Sequence, residues 1–262
     1  MVDVCAGFGR IGKIQFLMTW DDINLGTYLK IHPIIMNDWA EYDKFKEIVY
    51  ILTGKYQNVH QWSEKQVREY SFLFDTKFDK KVPEVYKAGG KFYRINDEIK
   101  NITAGRYIEV KSFYANDYMT NLDKIIASLS IPVKRWGFKY KNLKYDALQH
   151  DKYAADMLSL PFKIAYGIGL QCLNIINKID SNYPILFAQS VENEGESDLG
   201  IEQTFMKYYG WIYSTAQIAE HERITLDQAF ELPVVQYLND LAYLKMKDKL
   251  EKAQMDRLHK KH

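Results

Sequence analysis

Asn101-Ile102-Thr103-Ala104-Gly105-Arg106-Tyr107-Ile108-Glu109 repeats, in degenerate form, an earlier stretch, Asp22-Ile23-Asn24-Leu25-Gly26-Thr27-Tyr28-Leu29-Lys30. Ile23/Ile102, Gly26/Gly105 and Tyr28/Tyr107 keep one offset of 79 (Gly105 less Gly26), and Asn37-Asp38 and Asn116-Asp117 keep it too. After a one-residue slip, Asp43-Lys44 matches Asp123-Lys124. Self-similarity at a long period sets architecture before any single motif does. The expectation is therefore two related helical units. Asn24 and Thr103 are suited to cap helix starts. Leu25, Tyr28 and Leu29 share one face of the first copy, and Tyr107, Ile108 and Phe113 face inward in the second. A glycine in the first turn costs the helix little and permits close packing.

Outward from the repeat, Pro33 is expected to end or kink the first helix. A second helix is expected from about Trp39 to Thr53, stopped by Gly54. Ser63-Glu64-Lys65-Gln66 reads as a capping box for a third, with Val67, Tyr70 and Phe74 on one face. Val85-Tyr86-Lys87 and Lys91 to Ile95 flank Ala88-Gly89-Gly90, the pattern of a β-hairpin. A helix over Leu122 to Leu129 should stop at Pro132. Ser159 is expected to cap a long apolar helix running to about Ile179, in which Gly167 and Gly169 either allow close approach of a neighbouring helix or mark a kink. Phe205, Tyr208, Tyr209, Trp211, Ile212 and Ile218 lie on one later helix with a broad aromatic face. Thr225-Leu226-Asp227-Gln228 is a second capping box, and Pro233 precedes a final helix with Val234, Tyr237, Leu238, Leu241 and Leu244 on its stripe. Its charged tail retains Met246, Leu250, Met255 and Leu258, read either as a solvated helix or as a partner-docking one.

The expected fold class is mainly α (α+β): many helices, one β-hairpin and a degenerate helical repeat. The expected divisions are a leader extension over residues 1–17, the repeat pair with its hairpin over 18–135, a middle region over 136–198 and a helical region over 199–262. The last part of the middle region, Val191 to Asp198, reads as an acidic loop.

Composition bounds the function classes. Hydrophobic residues at 47% and charged residues at 26% fit a packed globular chain and exclude wholesale disorder. A net charge of +1 argues against a chain that binds polyanions over its whole surface, leaving local patches. The 20 tyrosines and 13 phenylalanines suit interfaces as well as cores. Cys5 and Cys172 form no CxxC, so neither a disulfide framework nor a zinc knuckle is indicated. The apolar region from Leu158 to Ile176 is interrupted by Pro161, Lys163, Gln171 and Asn174, and reads as a buried helix rather than a membrane span.

The residues of a reaction centre are not assembled by any motif. His32, His60, His150, His221, His259 and His262 form no HExxH, and neither GxSxG nor a Walker A loop is present. Catalytic residues, metal ligands and cofactor contacts are all expected to be none. Gly7-Phe8-Gly9-Arg10-Ile11-Gly12 does satisfy GxGxxG, and it resembles the first loop of glyceraldehyde-3-phosphate dehydrogenases. That resemblance implies NAD binding, a remote alternative. The following helix is short, no βαβ series follows, and the dehydrogenase's cysteine segment is lacking.

The most distinctive charged stretch is Lys134-Arg135-Trp136-Gly137-Phe138-Lys139-Tyr140-Lys141-Asn142-Leu143-Lys144-Tyr145, with five bases, four aromatics and no acid. Interleaved bases and rings can follow a phosphate backbone while stacking on nucleobases. The alternative is a solvated loop anchored by its rings. Lys134, Arg135, Trp136, Tyr140 and Lys144 are the candidate contacts for nucleic acid or another partner.

Trp20-Asp21-Asp22-Ile23-Asn24-Leu25-Gly26-Thr27-Tyr28, the later Ile51-Leu52-Thr53-Gly54, Tyr209-Gly210-Trp211-Ile212-Tyr213-Ser214 and Leu232-Pro233-Val234-Val235-Gln236-Tyr237-Leu238 together resemble proteins encoded in the structural modules of tailed bacteriophages. The resemblance spans most of residues 18–262. It implies a tail assembly chaperone or another tail- or virion-associated protein, without enzymatic activity, located in the virion or the host cytoplasm. The implied partners are other phage structural proteins (tail, tape-measure, capsid or portal subunits). DNA and a second copy of the chain are further partners to consider, and no membrane is implied.

Overall fold

In the computed structural model, residues 23–54, 82–137, 139–187 and 199–259 are described. The expected capping box at Ser63 with its stripe Val67, Tyr70 and Phe74, the glycines at 7–12, and the acidic loop at 191–198 lie outside them. The helices are α1 (Leu25–Met36), α2 (Glu41–Thr53), α3 (Ala104–Asp117), α4 (Leu122–Leu129), α5 (His150–Met157), α6 (Phe162–Ser181), α7 (Pro184–Phe187), α8 (Leu199–Glu222), α9 (Leu226–Phe230) and α10 (Val234–His259). The strands β1 (Tyr86–Ala88), β2 (Lys91–Ile95), β3 (Ser130–Trp136) and β4 (Lys139–Asn142) form one antiparallel sheet in the order β1-β2-β3-β4. The chain is mainly helical with a small sheet, as its periodicities indicate.

The chain divides into two units. The first holds the described residues up to 95 together with 113–172, and the second holds 96–112 and the described residues from 173 onward. Each unit contains one copy of the repeat, and each copy is clasped in the same way. In the first unit the ribbon entering α1 runs antiparallel to the segment entering α6. Phe162 N–H donates to the Ile23 carbonyl at 2.7 Å, Leu25 N–H to Leu160 at 2.7 Å, and Gly26 N–H to Leu158 at 2.9 Å. In the second unit the ribbon entering α3 meets the segment entering α10. Val234 N–H donates to Ile102, and Ala104 N–H to Leu232, both at 2.8 Å. The bridges are Asn24 with Pro161 and Thr103 with Pro233.

The clasp has a simple cause. A helix start leaves backbone N–H groups without intrahelical partners, and burial makes them costly. Here carbonyls of a Leu-Pro ribbon accept them. Side-chain caps satisfy others: Asn24 Oδ1 accepts Thr27 N–H at 2.8 Å, and Thr103 Oγ1 accepts Arg106 N–H at 3.5 Å. The proline at each bridge has no N–H to leave unpaired. Close approach of ribbon to helix explains the repeated glycines. A Cβ at Gly26 would sit 3.3 Å from the Leu158 carbonyl oxygen, and one at Gly105 would sit 3.3 Å from that of Phe230.

In the first unit Tyr28 stacks on Phe162 with ring centroids 3.7 Å apart, and Ile23, Leu25, Ile31, Ile48 and Leu122 are fully buried around the same core. α4 packs along α5. Within α6, Gly169 leaves room for the side chains of Leu122 and Tyr118, the close approach expected of it. In the second unit Tyr107, Tyr237 and Ile102 are fully buried. Thr215 of α8 and Tyr237 of α10 share a 2.9 Å hydrogen bond between their hydroxyls. The Thr225 capping box forms as expected, with Gln228 N–H on Thr225 Oγ1 and Thr225 N–H on Gln228 Oε1.

Three local expectations are corrected. Of the two effects expected of Pro33, an end to the helix is the one overturned: α1 continues to Met36. The proline lies on the exposed side of the helix. Ser159 does not cap α6. Its Oγ accepts Gly89 N–H at 2.7 Å and donates to the Asp156 carbonyl at 2.8 Å, fastening the β1–β2 turn to the end of α5. Pro132 lies inside a strand rather than at a stop, so residues 130–142 form a second hairpin. Its position tolerates a missing donor: Pro132 is paired with Tyr93 on β2, and the β4 pairing begins only at Val133–Asn142.

The β1–β2 turn is built on Gly89 and Gly90, whose φ values of +54° and +82° suit the two-residue turn that matches strand twist. A Cβ at Gly89 would also run into the Asp156 carboxylate, which holds the Tyr93 hydroxyl and, at 2.7 Å, Lys91 Nζ. Gly89→Ala is expected to destabilise the first unit by about 2–3 kcal/mol, combining left-handed strain with collision. Gly90→Ala faces open space and should cost only the conformational part, about 1 kcal/mol. Urea denaturation of both variants checks the difference; equal losses would exclude the Asp156 contact as a cause.

Candidate partner-contact surfaces

The basic-aromatic segment becomes the β3–β4 hairpin. Gly137, at φ +61°, opens a turn of two residues between Trp136 and its cross-strand partner Lys139; the second turn residue, Phe138, is not described. Register then divides the candidate residues. Lys134 lies directly opposite Lys141, and Trp136 opposite Lys139, so these four share one face. Arg135 lies opposite Tyr140 on the other. There Tyr140 leans on Phe92, with centroids 5.5 Å apart, and Arg135 Nε donates to the Gly137 carbonyl at 3.1 Å. Lys144 follows the end of β4 and is exposed. The structure therefore brings Lys134 and Trp136 together, assigns Tyr140 to packing, and adds Lys139 and Lys141. The signal for this was the period of two from Ser130 onward, with glycine at the reversal.

A second surface lies on α8. Its inward side buries Thr215, Ile218 and Ala219. An adjoining face carries Phe205, Tyr209, Ile212 and Tyr213, between 44% and 55% exposed. Spacings of four (Phe205 to Tyr209 and Tyr209 to Tyr213) and three (Tyr209 to Ile212) keep them on one face. The rings of Tyr209 and Tyr213 lie 5.5 and 5.8 Å from that of Phe205. On α10, Val234, Tyr237 and Leu238 are buried, whereas residues 245–259 are exposed all round, Met246, Leu250, Met255 and Leu258 among them.

The ionisable groups of the interior serve structure. Burial, then the bond to Asp156, pushes the Tyr93 hydroxyl well above its ordinary range. Burial, then the bond to Asp180, does the same for Tyr107. Asp180 also receives Lys111 Nζ at 2.7 Å. Burial raises Asp123, which lines an open groove of the first unit with Lys30, Thr120 and Lys124. Among the described residues, no group of three or more His, Cys, Asp or Glu side chains is placed to hold a metal, and no helix is long and apolar enough to cross a membrane.

No protein-family model, curated protein or solved structure matches the chain.

Proposed function

We propose that this chain is a non-enzymatic tail or virion assembly protein of a tailed bacteriophage, acting through protein–protein contacts in the particle or the host cytoplasm. The phage setting rests on the sequence resemblance. The mode of action rests on one observation: α8 presents a continuous aromatic face to solvent, next to the face that is buried. Aromatic rings bury large areas at low conformational cost, and clusters of them are enriched at the centres of interfaces. The exposed end of α10 offers a second contact, since its length allows it to lie along a partner subunit.

The test is co-elution with tail-tube, tape-measure and portal subunits of a tailed bacteriophage, followed by light scattering. A complex with at least one of them is expected. Tyr209→Ser/Tyr213→Ser should weaken it at least ten-fold, in line with the loss of interface aromatics, while changing stability by only about 0.5 kcal/mol. A chain that stays monomeric with every subunit would overturn the proposal.

A further inference from the structure

The β3–β4 hairpin lies at one edge of the sheet, and β4 is the edge strand. On one of its faces Lys134 and Lys141 are directly opposed, Lys139 follows, and Trp136 stands beside it. Like charges placed directly across a strand pair destabilise it. Among the described residues no acid forms a salt bridge with any of these lysines. Lysines on an edge strand have a defensive use, because they discourage pairing with another chain. That accounts for the charges. It does not account for an indole 77% exposed in their midst.

We propose that this face binds single-stranded nucleic acid. Trp136 stacks on an unpaired base, and Lys134, Lys139 and Lys141 take the neighbouring phosphates. A flat apolar ring flanked by flexible cations is the chemistry of a stacking platform in a positive groove. Base faces are open for stacking only where strands are unpaired, so a duplex offers the lysines their phosphates but denies the indole its partner. Strand geometry suits such a contact, because Lys134 and Trp136 are two residues apart and about 7 Å from each other along β3. Tyr140 takes no part, since its ring is packed on Phe92. This inference rests on the hairpin alone and is independent of the aromatic face of α8.

The experiment is a fluorescence-anisotropy titration of the full chain against a labelled oligodeoxythymidine of about 16 nucleotides. Binding is expected at low salt. With three phosphate contacts the logarithmic salt slope should be about −2, a loss of roughly 20-fold in affinity between 50 and 200 mM salt. Trp136→Ala should weaken binding about ten-fold or more. Lys141→Glu puts a carboxylate opposite Lys134, so it should hold or raise the thermal midpoint while removing most of the binding. That pairing of effects separates a contact from a fold defect. Unchanged affinity in Trp136→Ala overturns the proposal, as does absence of binding at low salt. Tighter binding to a duplex of equal length, or to phosphatidylserine vesicles, overturns it in favour of those ligands.

Discussion

Tyr107→Ala is expected to cost the second unit about 3–5 kcal/mol, enough to leave it largely unfolded at 37 °C if its stability is of ordinary size. Tyr107 is fully buried, its ring meets Trp211 edge-on with centroids 6.0 Å apart, and Phe187 lies at 6.5 Å. Truncation would remove all of that packing and strip Asp180 of the hydroxyl that donates to it. Tyr107→Phe isolates the second loss. Asp180 would keep Lys111 at 2.7 Å, so the cost should fall to about 1–2 kcal/mol. Chemical denaturation followed by far-UV circular dichroism measures both variants. Equal, small losses would mean that the tyrosine is not the anchor of its unit.

Alkaline pH should destabilise the protein through its buried phenols. Burial first, then the charges of Tyr166 and Asp117, pushes Tyr28 up to about 12. Burial also raises Tyr93, Tyr107, Tyr118 and Tyr237. In the unfolded chain these phenols ionise near 10. Between that pH and their higher folded values the unfolded state has released protons that the folded state still holds. Stability is therefore complete below pH 10 and falls as pH rises beyond it. Each such tyrosine contributes a loss of roughly 1.4 kcal/mol per pH unit. Denaturation midpoints should be flat from pH 7 to 9 and drop steeply by pH 11. Phenolate absorbance should grow in two stages, first from exposed tyrosines and then with unfolding. A midpoint unchanged at pH 11 would contradict the burial of these hydroxyls.

The candidate surfaces were legible to different degrees. The aromatic face of α8 is visible as helical spacing in Phe205, Tyr209, Ile212 and Tyr213, but spacing does not tell which side of a helix meets the core. That side is chosen by Thr215 and Ile218, which pack inward. In the hairpin, the composition of residues 134–145 marked the segment, while strand register decided which side chains act together. Alternation sends Arg135 away from Lys134 and Trp136, so neighbours in sequence part, and residues across the turn join.

What the sequence determined by itself is what short-range chemistry controls. Asn24 and Thr225 cap because their side chains reach N–H groups three residues on, Gly54 terminates α2 with φ +69°, and Gly89-Gly90 reverse the chain. The repeat, too, was written in the residues that form it. Only the tertiary structure decided what the repeat is for. Ile23 to Gly26 and Ile102 to Gly105 each need a Leu-Pro ribbon more than a hundred residues away to accept the N–H groups of a helix start. Nothing local to either segment announces that pairing. The same distance effect made Tyr28 and Tyr107, equivalent in the repeat, into different anchors. One stacks on Phe162, and the other donates to Asp180 beneath Trp211. Backbone groups near in sequence satisfy one another by local geometry, whereas burial and long-range partners exist only once the chain has closed on itself.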